Sequence, residues 1–188
     1  RAGIEVPTFE LSDDGGMLLI DRFDIAEDGT RLGFEDIAAL MGMRVRDVHS
    51  DRKYQGSYEA IAQLLRLFGL HADDLRRLFE QIALSVMVRN GDAHLKNFGV
   101  LYDDPAHPWL SPLFDVLTTP IYRIERPGGF QNVDGTMALK LRRGKRGASR
   151  AYPATDELVA FGRECCGVRE PMAVIARTAM SRLSGWMT

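Results

Sequence analysis

The stretch Asn90-Gly91-Asp92-Ala93-His94-Leu95-Lys96-Asn97-Phe98, followed by Phe114-Asp115, decides how this chain is read. Asp92 and Asn97 stand five residues apart, and a second carboxylate, Asp115, follows Asp92 by 23 residues. A phosphoryl-transfer site needs its groups in this order. One carboxylate receives a hydroxyl proton, an amide oxygen a few residues on holds a metal, and a later carboxylate bridges metal to phosphate.

Taken alone, an Asp in an Asn-Gly-Asp loop is most simply a turn former. The surroundings argue for more. Asn90, Asp92, His94, Lys96 and Asn97 crowd into eight residues between a long apolar-periodic segment and an apolar strand-like run. In the functional reading Asp92 accepts or orients the proton of an attacking hydroxyl. Asn97 offers a neutral oxygen to Mg²⁺, which takes oxygen ligands and uses few from protein. Asp115 is the charged ligand, and Lys96 offsets charge on the transferring phosphate. His94 reads first as a hydrogen-bonding residue that holds the loop.

The totals exclude several classes. With 188 residues the chain is long enough for one domain with a true core. Its 45% hydrophobic and 27% charged residues are those of an ordinary globular protein, and a net charge of −2 gives no global pull toward nucleic acid or anionic membrane. The only cysteines, Cys165 and Cys166, are adjacent and cannot staple a fold, so a reducing cytoplasm is expected. No apolar run reaches the ~18 residues of a membrane span. His49, His71, His94 and His107 are scattered without zinc-ligand spacing, and no G-x-S-x-G elbow is present. Arg1-Ala2-Gly3-Ile4-Glu5 has neither a starting Met nor a signal-peptide core and leads into strand-like sequence, so the chain is expected to begin inside a larger protein.

Along the chain, residues 5–12 and 17–24 are predicted strands around the turn Asp13-Asp14-Gly15-Gly16, with Met17-Leu18-Leu19-Ile20 of buried-strand type. A helix is expected from near Gly33, carrying Phe34, Ile37, Ala38 and Met41 on one face. Residues 44–55 read as loop. Ser57 caps a helix to Phe68, and a longer core helix spans 72–88 with Asp73 and Asp74 in its first turn. A strand follows at 98–102 and a short extended piece at 110–113. Residues 118–135 read as irregular, 137–141 as strand or ordered loop, and two helices at about 155–166 and 170–184 finish the chain. Lys140, Arg142, Arg143, Lys145, Arg146 and Arg150 form a basic run, either a solvated loop or a surface for phosphate, substrate or nucleic acid. Phe23, after the apolar strand, either stacks on a nucleotide base or packs into the core.

Together these residues resemble the HipA-like serine/threonine kinases. Residues 90–98 resemble their catalytic loop, and Leu110-Ser111-Pro112-Leu113-Phe114-Asp115 their metal-binding motif. Ile20-Asp21-Arg22-Phe23-Asp24 is similar to the hinge strand that touches adenine. Phe34-Glu35-Asp36-Ile37 resembles the Glu-Asp helix after it, Lys53-Tyr54-Gln55-Gly56 the Lys-Tyr element, and Met137-Ala138-Leu139-Lys140-Leu141 the late motif near the active site. The resemblance implies an α+β, mostly helical, kinase-like C-terminal lobe, with residues 1–26 ending the N-lobe and hinge and 27–188 forming the helical lobe. It implies ATP and Mg²⁺ as cofactors, Asp92 and Lys96 as catalytic residues, Asp21, Phe23 and His94 at the nucleotide, and Asn97 and Asp115 at the metal. The implied partners are a protein substrate, aminoacyl-tRNA synthetases being among those of the family, and a small helix-turn-helix antitoxin that contacts DNA. The family's glycine-rich loop and nucleotide-binding Lys have no counterpart here, so this polypeptide alone is expected to phosphorylate nothing at a useful rate. Two other readings stay open: a non-catalytic partner- or DNA-binding module derived from a kinase lobe, and a kinase acting on a small molecule.

Overall fold

A computed structural model of the chain describes residues 3–43, 51–126, 129–132, 135–144 and 149–184. Asp13-Asp14-Gly15-Gly16 turns the chain between β1 (Phe9–Leu11) and β2 (Leu18–Ile20), an antiparallel pair with Phe9 opposite Ile20. Gly15 takes φ +66°, a conformation that costs glycine little, and Asp14 accepts the Gly16 N–H. The expected turn is present, but the expected burial of Met17 to Ile20 is not. Met17, Leu18, Leu19 and Ile20 are each at least half exposed. Among the described residues no third strand joins this ribbon, and Leu84 and the segment 113–116 face it only across a cleft.

The next segment corrects the reading of a helix from Gly33. Residues Gly33–Asp36 form a strand, β3, and only Ile37–Leu40 is helical, α1. Asp36 decides the boundary: its carboxylate accepts the Ala39 N–H at 2.8 Å, which makes it the N-cap rather than a residue within the helix. Ile37 and Ala38 are buried as expected.

Ser57 caps α2 (Tyr58–Leu67) by accepting the Ala60 N–H. The long helix α3 (Ala72–Met87) is the centre of the core: Leu78, Phe79, Ile82 and Ala83 are wholly buried. Strand β4 (Gly99–Tyr102) lies between β3 and β5 (Trp109–Leu110) in a three-stranded antiparallel sheet, with Asp36 opposite Gly99 and Val100 opposite Leu110. Residues 118–135, read as irregular, contain a short 3-10 turn, Thr119–Ile121, and a hairpin of β6 (Arg123–Arg126) and β7 (Gly129–Asn132). Met137, Ala138 and Leu139 form a buried loop. Helices α4 (Thr155–Cys166) and α5 (Pro171–Ser184) pack on α3. Cys165 and Cys166 are free, buried thiols. Among the described residues no helix is long and apolar enough to cross a membrane. Residues 44–50, Lys145 and Arg146 lie outside the described residues.

Polar groups on α3 connect this core to the segment that ends at Asp115. Asp74, 7% exposed, accepts the Leu110 N–H at 3.1 Å and an Arg77 N–H at 3.2 Å. Arg77 also donates to the Leu110 carbonyl, and the Gln81 amide donates to the Ser111 carbonyl at 3.0 Å. On the opposite flank, buried Glu80 accepts from Arg76 at 2.6 Å and from Arg177 at 2.5 Å, tying α5 to α3. Truncating Asp74 leaves the buried Leu110 N–H without its acceptor, so Asp74→Ala is expected to cost about 1–3 kcal/mol of unfolding free energy. A lower urea midpoint at unchanged m-value is the predicted result; an unaltered midpoint would show that the α3 grip on β5 is idle.

Candidate active site

The loop after α3 is shaped by its first residues. Arg89 takes φ +53°, the left-handed turn that ends a helix, and its guanidinium lies over the Tyr152 ring at 5.3 Å. Asn90, 2% exposed, donates its N–H to the Ser85 carbonyl and accepts the Asp92 N–H on its side chain at 3.0 Å. That Asx-type bond presents the Asp92 carboxylate outward, 38% exposed.

Two tyrosines hold the loop from the other side. The Tyr54 hydroxyl donates to Asp92 Oδ1 at 2.6 Å, and the buried Tyr58 hydroxyl donates to the Ala93 carbonyl at 2.8 Å. Burial pushes both phenols up, and for Tyr54 the adjoining Asp92 carboxylate adds to the shift, so both stay protonated donors at neutral pH. His94 sits edge-on to the Tyr54 ring, 5.2 Å between centroids. Burial, and then the nearby Lys53 cation, lowers its pKa and keeps the imidazole neutral. Its Nδ1 accepts the Lys96 N–H at 3.3 Å while Nε2 lies 4.0 Å from Asp92 Oδ1. These contacts match the structural role expected for His94.

Asn97 joins the two halves of the site. Its Oδ1 accepts the His94 N–H at 2.9 Å, closing the 3-10 turn Leu95–Asn97, and its Nδ2 donates to Asp115 Oδ2 at 2.7 Å. Asn97 is 5% exposed, whereas Asp115 is on the surface. Asp115 adopts φ +55°, a left-handed conformation costing on the order of 1 kcal/mol for a residue with a side chain. Amide oxygens carry two lone pairs, so Asn97 Oδ1 keeps one after capping His94. The amide nitrogen, not Oδ1, faces Asp115 here; Asn97 Oδ1 and the Asp115 carboxylate are the oxygen ligands that could hold Mg²⁺, which retains waters and phosphate oxygens as its other ligands. Among the described residues there is no cluster of three or more His, Cys, Asp or Glu arranged for a metal.

Lys96 has another partner. Its ammonium pairs with Asp36 Oδ2 at 2.5 Å, locking the loop to the N-cap of α1. Phe23 is half-buried in an aromatic cluster, stacked on Phe114 at 5.2 Å and edge-on to Phe34 at 5.4 Å. Phe114, on which it stacks, immediately precedes Asp115 in the chain. Asp21 donates its N–H to the Thr8 carbonyl at 2.9 Å and its side chain is exposed. Asp92, His94, Asn97 and Asp115 thus come together, Phe23 borders them through Phe114, Lys96 is engaged with Asp36, and Asp21 presents an exposed side chain at the end of β2.

Three residues escape notice in the sequence. Tyr54 carries a signal only as part of the Lys-Tyr element, with nothing to aim it at Asp92. Thr119 lies in a stretch of irregular character, yet it is 4% exposed and its hydroxyl accepts the Gly91 N–H at 2.9 Å while donating to the Arg89 carbonyl at 3.1 Å. It latches the segment after Asp115 onto the start of the Asp92 loop. Asp36, read in the sequence as part of a helix from Gly33, is the N-cap of α1 and the partner of Lys96, 60 residues away.

The sequence model of the HipA-like C-terminal domain matches residues 1–186. Y4dM of Sinorhizobium fredii, which bears the name of a kinase, is 33% identical over 135 residues, covering 64% of this chain and 31% of Y4dM. A kinase-named protein of Haemophilus influenzae is 29% identical over 107 residues, 55% of this chain and 31% of its own length. The chain therefore spans about a third of the length of these relatives. A solved chain from the Shewanella oneidensis MR-1 toxin–antitoxin complex of HipA, HipB and operator DNA superposes with a TM-score of 0.63 at 18% identity, over 95% of this chain and 43% of that one. That likeness fixes the fold as kinase-like of HipA type, and the match along nearly every residue places the chain in the HipA-like C-terminal domain family.

Proposed function

We propose that the protein carrying this chain is an ATP- and Mg²⁺-dependent kinase that phosphorylates serine or threonine hydroxyls of a protein substrate, acting as the toxin of a toxin–antitoxin pair. The observation that carries the reading is the meeting of the Asn97 amide and the Asp115 carboxylate at 2.7 Å, at the end of the loop that presents Asp92. A divalent ion held by Asn97 and Asp115 would supply charge neutralisation at the nucleotide's outer phosphates. The kinase names of the relatives support the class of activity. The HipB and operator DNA of the Shewanella complex support a DNA-binding antitoxin as partner.

Each protein group has a definable task. Asp92, partly exposed, is placed to accept an acceptor hydroxyl's proton. Tyr54 fixes its orientation by occupying one lone pair of Oδ1, which leaves Oδ2 for the substrate. His94 is neutral and holds the turn. Lys96 acts through Asp36, securing the loop rather than meeting phosphate. Thr119 keeps the Asp92 and Asp115 segments in register. The half-exposed apolar hairpin β1–β2 suits packing against further protein, where the family carries its phosphate-covering elements.

With full-length protein and Mg-ATP, Asp92→Asn is expected to lower kcat by about 10²- to 10⁴-fold with little change in nucleotide affinity. Asn97→Ala should instead raise the Mg²⁺ concentration needed for half-maximal rate. Turnover by Asp92→Asn at the parent rate would remove Asp92 from the chemistry. Tyr54→Phe removes a hydrogen bond to a charged group and is expected to cost roughly ten- to a hundredfold in kcat at nearly constant KM for ATP. A Tyr54→Phe enzyme with unchanged kcat would show that Asp92 needs no such support.

A further inference from the structure

A cleft of about 730 Å³ opens beside Tyr54, on a part of the surface that the nucleotide and metal residues do not line. Its walls carry three cations, Lys140, Arg143 and Arg150, and no Asp or Glu among the described residues lines it. The volume falls within the range of ligand-sized clefts, about 300–1,000 Å³. Lys140 and Arg143 are brought here by the buried Met137–Leu139 loop and by backbone bonds to α2: the Tyr58 N–H donates to the Lys140 carbonyl at 3.0 Å, and the Arg143 N–H to Glu59 at 2.6 Å. Arg150 donates to the Ala138 carbonyl at 3.3 Å and is close enough to Tyr54 to act on its phenol electrostatically. Among the described residues none of the three cations forms a salt bridge. Glu59 is bonded to the Arg143 backbone and Asp92 to the Tyr54 hydroxyl, and both lie outside the lining.

Resting on the kinase reading, we infer that this cleft is the docking site for an acidic segment of the protein substrate, with carboxylate side chains flanking the hydroxyl that is phosphorylated. Tyr54 supplies the link. It lines the cleft, and its hydroxyl bonds to Asp92 at 2.6 Å, so a peptide lying in the cleft runs past the catalytic carboxylate. Uncompensated guanidinium and ammonium groups recognise carboxylates by charge and hydrogen bonding. Met41 and Met43 add a deformable apolar surface to the lining, suited to varied side chains. A nucleic acid fits less well. Among the described residues Tyr54 is the sole aromatic residue lining the cleft and is already engaged with Asp92 and His94, so no free ring of theirs is offered to a base.

The test uses full-length protein and three fluorescein-labelled peptides, each a serine flanked on both sides by three Glu, three Gln or three Lys. Anisotropy reads binding, and phosphate incorporation from labelled Mg-ATP reads transfer. At low salt the Glu peptide is expected to bind about tenfold more tightly than the Gln peptide, with the preference shrinking as salt rises. Arg143→Glu, on an exposed side chain with no catalytic contact, should abolish that preference while leaving ATP affinity unchanged. Lys140→Gln, a milder change with thermal melting as its fold control, should weaken it in the same direction. The proposal is overturned if the three peptides bind alike, if the Glu preference survives Arg143→Glu, or if a single-stranded oligonucleotide occupies the cleft more tightly than the Glu peptide. Equal phosphorylation of all three peptides would end this proposal and leave the kinase reading standing. Selective binding of the Glu peptide with no phosphate transfer would support the cleft and end the kinase reading.

Discussion

One side-chain amide holds the site together. Asn97 is buried, caps its own loop through Oδ1 and reaches the Asp115 carboxylate through Nδ2. A buried amide with both ends satisfied has little freedom to move, because breaking either bond leaves a polar group unpaired. Residues from two loops, separated by β4 and β5, therefore keep a fixed relation. The same contact offsets the unfavourable backbone of Asp115. Asp92, on the outer side of the turn, inherits this rigidity, and such pre-organisation is where phosphoryl transfer gains most of its rate.

The rest of the molecule serves that relation. α3 carries the core on one face and, through Asp74, Arg77 and Gln81, grips the strand leading to Asp115. Its C-terminal exit at Arg89 aims the Asp92 loop, and Thr119 binds the two segments again from below. Tyr54 and Tyr58 complete the frame from the α2 side. Loss of any one tie leaves the others, which is why a single substitution in this frame is expected to alter rate before it unfolds the domain.

Much of this was legible in the sequence where local chemistry decides structure. The helices at 58–67, 72–87, 155–166 and 171–184 follow from apolar spacing and caps such as Ser57, and the turn at Gly15 from its residues. The grouping of Asp92, Asn97 and Asp115 was legible because their spacing is a chemical pattern. What sequence could not supply are the non-local choices. Gly33 to Asp36 became a strand because β4 offers hydrogen bonds there, a competition that helical periodicity does not register. Met17 to Ile20 reads as buried, yet burial depends on what lies across the ribbon. Lys96 finds Asp36, and Thr119 finds Gly91, across distances along the chain that carry no local signal.

The central claim is that Asn97 and Asp115 share a divalent ion at the nucleotide while Asp92 faces the acceptor. The most direct measurement is a crystal structure of the full-length protein with Mg²⁺ and a non-hydrolysable ATP analogue. The account predicts an ion about 2.1 Å from both Asn97 Oδ1 and an Asp115 oxygen, with Asp92 unligated and still bonded to Tyr54. Nucleotide bound with its ion held by other groups would contradict it.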